Sequence, residues 1–182
     1  MYRVIVDLEA TCCENNEFQR NKMEIIEIGA VMLDGNGVQL GTFQSFVRPV
    51  YNPVLTDFCK NLTGISQEFV DHAPLFNSII DDFYRWVYSF DQNIGVSLES
   101  WGDFDKNILN REMRDKLNFA DCMTYSNLTA IHINLKEKFA RDNRCKPMGV
   151  SRALSKLGLT FIGNHHRALD DALNIKRIAY GG

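Results

Sequence analysis

Asp7 and Glu9 stand two residues apart at the end of a short apolar run, where the alternation of a strand turns both carboxylates to one face. Two like charges side by side are unfavourable unless a cation lies between them. Holding a metal ion is the chemistry such a pair offers. A D-x-E tripeptide is common, however, and alone it fits a solvated strand end equally well.

A second acidic group, Asp103-Phe104-Asp105, opens a helical pattern in which the two carboxylates fall on different stripes. Asp105 shares its stripe with Ile108, Leu109 and Met113 and should point inward, whereas Asp103 aligns with Lys106, Asn107 and Asn110 and is placed to cap the helix. The plain alternative for Asp105 is a partly buried carboxylate paired with an arginine. A third group, His165-His166-Arg167-Ala168-Leu169-Asp170-Asp171, carries two His and two Asp. Asp171 lies on the apolar stripe of Ala168, Ala172, Ile175 and Ile178, and Asp170 on a polar one. On a continuous helix, His166 would be turned roughly 140° from Asp171. His166 is therefore expected in the loop just before the helix, where it can reach the same space. His132 and His165 are read as structural or solvated.

The elements that must position these groups follow from pattern. Residues 2–7, with β-branched Val4, Ile5 and Val6, read as a central strand, 24–33 as a buried second strand and 38–47 as a third. Asp34-Gly35-Asn36-Gly37 between the last two is a hairpin signal. Helical segments follow, one ending near Gly64, then 66–72 and 75–90. A short strand at 94–98 precedes helices at 103–116, 134–141, 150–157 and 168–179. Three antiparallel strands, then strands alternating with helices, predict an α/β fold with a mixed sheet flanked by helices.

With 182 residues, 45% apolar and 24% charged, the composition is that of one globular domain. The formal charge of −3 argues against a protein that coats nucleic acid electrostatically, though not against one that grips only a strand end. No apolar run approaches the roughly 18 residues of a membrane span. Residues 1–10 reach two carboxylates sooner than an export signal would, and five cysteines without a C-x-x-C pair fit a reducing compartment. A cytoplasmic location is expected.

The three acidic groups, in this order, resemble the DEDDh branch of the DnaQ-like 3′-to-5′ exonuclease superfamily, whose fold is ribonuclease H-like. The first motif reads Val4-Ile5-Val6-Asp7-Leu8-Glu9-Ala10-Thr11, extended by Glu24-Ile25-Ile26-Glu27-Ile28-Gly29-Ala30. The second reads Gly102-Asp103-Phe104-Asp105, and the third His166-Arg167-Ala168-Leu169-Asp170-Asp171-Ala172. Leu62-Thr63-Gly64-Ile65 and Asn134-Leu135-Lys136-Glu137-Lys138-Phe139 extend the likeness toward the group of KapD-like proteins and histone-mRNA 3′ exonucleases. The resemblance covers nearly the whole chain and implies a single exonuclease domain over 1–182. It implies that Asp7, Glu9, Asp105 and Asp171 hold two divalent cations, Mg²⁺ or Mn²⁺, and that His166 is the general base. Oxygen donors without a His/Cys cluster agree with such ions.

What the resemblance implies for substrate is a single-stranded nucleic acid 3′ end, RNA or DNA, from which 5′ nucleoside monophosphates are released. Leu8, Ala10 and Thr11, with Leu62 and Ile65 as walls for the terminal base, are its implied contacts. Trp101 is read as a plug of the sheet, Phe18 is left unassigned, and the basic stretch from Lys136 to Lys156 is read as a solvated helical surface. Two other functions share the fold: a non-catalytic adaptor and a polymerase-associated proofreading subunit. Oligomeric state has no mark in the sequence.

Overall fold

The computed structural model describes residues 1–14, 22–90 and 95–181. The chain builds a five-stranded mixed sheet of order β3-β2-β1-β4-β5. Strands β1 (Tyr2–Ala10), β2 (Ile25–Leu33) and β3 (Gln39–Phe46) form the antiparallel half, and β4 (Val96–Ser100) and β5 (His132–Asn134) add parallel to β1. The mixed sheet expected from the pattern is the one observed. At the β2–β3 hairpin, Asp34 Oδ1 accepts the backbone N–H groups of Asn36 and Val38 at 2.8 Å, while Gly37 takes the left-handed φ of 86° that the turn requires.

Helices cover both faces. Val4, Val6 and Leu8 of β1 pack toward α3 (Phe76–Tyr88) and α4 (Phe104–Lys116), whose Ile79, Phe83, Ile108 and Leu109 recur at helical spacing. Ile5, Val31 and Leu33 face the opposite way, against Ala172 and Ile175 of the last helix, Ala168–Tyr180. Buried on both sides, β2 is apolar but for Glu27, and β1 is broken only by Arg3, Asp7 and Glu9. A smaller cluster of Ile26, Leu55, Cys59, Ile65 and Val70 joins β2 to α1 (Asp57–Thr63) and α2 (Gln67–Asp71). Helix α1 ends at Gly64, whose φ of 68° suits glycine.

Several expectations need adjustment. The fourth strand lies at Val96–Ser100, later than expected, and Ile94 and Phe18 fall outside the described residues. Helix α5 (Phe119–Tyr125) and strand β5 were not expected: the helix buries no residue and the strand is three residues long, so neither carries an apolar period. Asp103 occupies the N-cap position of α4 but makes no capping hydrogen bond. Its backbone is already helical (φ −103°, ψ −4°), and its carboxylate lies 3.7 Å from the His132 ring instead. The remaining helices are α6 (Leu135–Asp142), α7 (Val150–Lys156) and α8 (Ala168–Tyr180), close to their expected bounds. Among the described residues no helix is long and apolar enough to cross a membrane, and all five cysteines are free.

Candidate active site

The pleat of β1 does what the spacing predicts: Asp7 and Glu9 leave the strand on one face, opposite Gly29 and Glu27 of β2. A register irregularity between Glu9 and Ala10 ends the regular ladder there, as bulges often do beside functional sites. Helix α8 brings Asp171 to the same place. Carboxylate oxygens of Asp7, Glu9 and Asp171 lie within 4.8 Å of one another. Asp105, on the first turn of α4, is buried beside them, where its Oδ1 accepts the Leu8 N–H at 3.1 Å. Among the described residues no arginine or lysine pairs with it, so the ion-paired reading of Asp105 does not hold.

The electrostatics follow from this crowding. Burial first, then repulsion from Asp171, Glu27 and Asp105, pushes Glu9 from an ordinary 4.5 to about 8. Asp105 is pushed up to about 7 by burial, against the Leu8 N–H that favours its anion. Burial followed by repulsion from Asp105 and Glu9 holds Asp7 well above the usual carboxylate range. Asp171 is also raised by burial, opposed by the His166 N–H. Such a group binds protons at neutral pH unless cations replace them. An all-oxygen, anionic donor set of this kind fits hard divalent ions.

His166 sits in the loop before α8, as expected, with a left-handed φ of 60°. Its N–H donates to Asp171 Oδ2 at 2.8 Å. The same loop is closed by Asp170, whose Oδ2 accepts the Asn164 N–H at 2.8 Å. His166 is solvent-exposed and lines a cleft of about 630 Å³ together with Asp7, Glu9, Asp105 and Asp171. His165 lines that cleft too, its ring 3.6 Å centroid to centroid from Phe161.

His132 looks at first like part of a Ser-His-Asp set, its Nε2 2.9 Å from Ser100 Oγ and its Nδ1 3.7 Å from Asp103. Ser100 is closed to solvent, however, and its hydroxyl donates to the Gly102 carbonyl at 2.8 Å. That serine has no nucleophile to offer. Burial and nearby Lys106 lower the His132 pKa, in keeping with a structural ring.

The expected substrate contacts divide. Leu8 borders the cleft. Ala10 is buried, and the Thr11 hydroxyl accepts the Glu24 N–H at 2.9 Å. Leu62 is 39% exposed, whereas Ile65 is fully enclosed in the α1 cluster, so its side chain offers no wall to the cleft. Trp101 plugs and lines at once, donating its indole N–H to Met148 O at 2.8 Å while bordering the cleft. Phe104, Gly149, Val150, Ser151 and Arg152 complete the lining, and of these the sequence pointed only to Arg152, as a member of the basic stretch. Phe104 carried a faint signal as an apolar residue off the buried stripe and Arg152 one as part of the basic stretch; Val150 and Ser151 carried none.

The profile of the RNase T exonuclease family matches residues 4–179. Human ERI1 exoribonuclease 2 is 31% identical over 198 residues, spanning 98% of this chain and 28% of that protein. Rat 3′-5′ exoribonuclease 1 is 33% identical over 190 residues, spanning 98% of this chain and 52% of that protein. The chain thus spans between about a quarter and a half of these curated relatives. Among solved structures, the nuclease domain of 3′hExo, a DEDDh family member bound to rAMP, superposes with a TM-score of 0.86 at 32% identity, covering 98% of this chain and 90% of that one. The mixed sheet is therefore the ribonuclease H-like sheet of these nucleases. With its carboxylates and His166 at the motif positions, the chain belongs to the RNase T exonuclease family, in its DEDDh 3′-to-5′ branch.

Proposed function

We propose that residues 1–182 act as one metal-dependent 3′-to-5′ exonuclease unit, cleaving the terminal phosphodiester of single-stranded nucleic acid and releasing 5′ nucleoside monophosphates. The observation that carries the reading is the convergence of Asp7, Glu9 and Asp171 oxygens within 4.8 Å, beside Asp105 and His166. RNA is the favoured substrate, because the relatives are named exoribonucleases and 3′hExo was solved with rAMP. Asp7, Glu9, Asp105 and Asp171 would hold two cations, Mg²⁺ or Mn²⁺. Bound there, such ions supply charge neutralisation for the phosphate and a lowered pKa for water.

The chain's own groups do the rest. The His166 ring, turned into the cleft by its loop, takes the proton of the attacking water. The Leu8 N–H and the His166 N–H fix Asp105 and Asp171, so that their free oxygens keep one orientation. Leu8, Trp101 and Phe104 give the terminal nucleoside apolar walls, and Phe104, 46% exposed, is open to stacking. Among the described residues Arg152 is the one lysine or arginine that lines the cleft, and within the basic stretch from Lys136 to Lys156 it is the one placed to face the substrate phosphates there. The free cysteines are consistent with a cytoplasmic setting.

The test is digestion of matched RNA and DNA oligonucleotides with Mg²⁺ or Mn²⁺, the products identified by mass. Stepwise release of 5′ monophosphates from the 3′ end is expected, faster on RNA. Cleavage of circular strands, or inactivity with both metals between about pH 6 and 9 around the histidine range, would contradict the reading.

A further inference from the structure

Glu27 is fully enclosed on β2, directly across from Glu9, where its charge adds to the repulsion that raises Glu9 and Asp7. Its carboxylate is saturated. Arg167 donates Nε to Oε2 at 3.1 Å and a terminal nitrogen to Oε1 at 2.9 Å, the Ala168 N–H donates to Oε2 at 3.1 Å, and Gln44 donates to Oε1 at 2.7 Å. Three of these four bonds end on the two residues that follow His166. The start of α8 is also pressed against β2, for a Cβ on Gly29 would lie 2.1 Å from the Ala168 carbonyl carbon.

We propose that Glu27 and Arg167 are positioning residues that hold the His166 turn in its working conformation. The inference rests on the exonuclease reading above. A non-glycine residue at φ 60° is strained and persists only where its surroundings fix it. His166 is fixed on one side by its own N–H on Asp171, and on the other by Arg167 and Ala168 on Glu27. Release of the second anchor lets the backbone relax and swings the ring away from the water it serves, while Asp7, Glu9 and Asp105 stay on their own elements. A buried ion pair adds little net stability over apolar packing, but its planar two-point geometry fixes orientation.

Arg167→Lys keeps the charge and removes the fork. Its kcat is expected to fall by about 10- to 100-fold, the range seen when groups supporting a site are lost, with KM and Mn²⁺ affinity little changed. In a His166→Ala background the same substitution should cost less than about twofold, because groups acting through one another are not additive. The paired variant Glu27→Gln/Arg167→Met, which leaves no buried charge unmatched, should retain its melting transition and Mn²⁺ binding yet lack kcat. Losses that multiply in the His166→Ala background, or wild-type kcat in the paired variant, would overturn the proposal. Amide hydrogen exchange tests it without activity: Arg167→Lys should speed exchange at residues 164–168 and leave β1 protected. Unchanged exchange there sinks the positioning role even if the protein degrades RNA, whereas local loosening in a protein that degrades nothing faults only the exonuclease reading.

Discussion

Glu9 and Glu24 are buried carboxylates near the same end of the sheet, yet their surroundings are opposite. The Glu24 carboxylate accepts the N–H groups of Val50, Tyr51 and Asn52 at 2.7 to 2.8 Å and pairs with Lys116 at 2.7 Å. Burial works to raise its pKa, but Lys116 and those N–H groups outweigh it and hold Glu24 below its ordinary value. Among the described residues no donor reaches the Glu9 or Asp7 side chains, and Glu9 is pushed up to about 8. One region has its cation built in as a lysine; the other presents the same type of group with the partner left to be supplied. The contrast separates a carboxylate that holds the fold from one that waits for a ligand.

The largest effect should come from the unpaired region. Asp7→Asn and Asp171→Ala are each expected to lower activity on single-stranded RNA by on the order of 10³-fold or more, because the ligands act as a unit. Asp7→Asn should nevertheless leave the metal-free protein at least as stable as the wild type at pH 8, since it removes repulsion. Lys116→Met should do the reverse. It strips the cation from Glu24 and Glu112, both 2.7 Å away and buried, and is expected to cost about 3 to 5 kcal/mol in urea denaturation. If the two substitutions shift stability alike, the contrast between the regions is false.

Acidity sharpens the same contrast. Glu9 at about 8 and Asp105 at about 7 bind protons in the folded chain that the unfolded chain has already released. Their contribution to metal-free stability is therefore full below their unfolded values and lost as pH rises through 7 and 8. The melting temperature in EDTA should fall as pH rises from about 5.5 to about 8.5, a range that brackets the Asp105 and Glu9 pKa values of about 7 and about 8, and fall less in Asp7→Asn. Added Mn²⁺ should restore stability most at the alkaline end, since binding expels those protons. A metal-free melting temperature that rises over this range would contradict the assignment. The smallest effect expected is at Arg152. Arg152→Ala should raise KM modestly and lower the salt slope of substrate binding by about one unit, as for a single phosphate contact. An unchanged slope places that side chain off the substrate path.

The candidate ligands were legible because each is a carboxylate set into a regular apolar pattern. Asp7 and Glu9 continue a period of two, while Asp105 and Asp171 interrupt buried helical stripes of Leu109 and Ile175. The central strands were legible from the same apolar patterns, and the hairpin from its Asp34-Gly35-Asn36-Gly37 turn. Helix α5 was not, since it buries nothing, and β5 is too short to show a period. Ile65 was offered as a wall by the resemblance alone, and its side chain is enclosed in the core, where an apolar residue beside a helix stop equally belongs. The pairing of Glu27 with Arg167 joins residues 140 positions apart and leaves no trace in either local pattern. Cleft lining from α7 has the same cause: it depends on how a helix is docked, not on its periodicity.

The most direct measurement of whether the carboxylates of β1, α4 and α8 form a cation site is calorimetric titration of Mn²⁺ into the metal-free protein at pH 8. Saturable binding that is lost in Asp7→Asn and kept in Lys116→Met is the predicted result. Equal binding by Asp7→Asn and the wild type, or no binding by either, would contradict it.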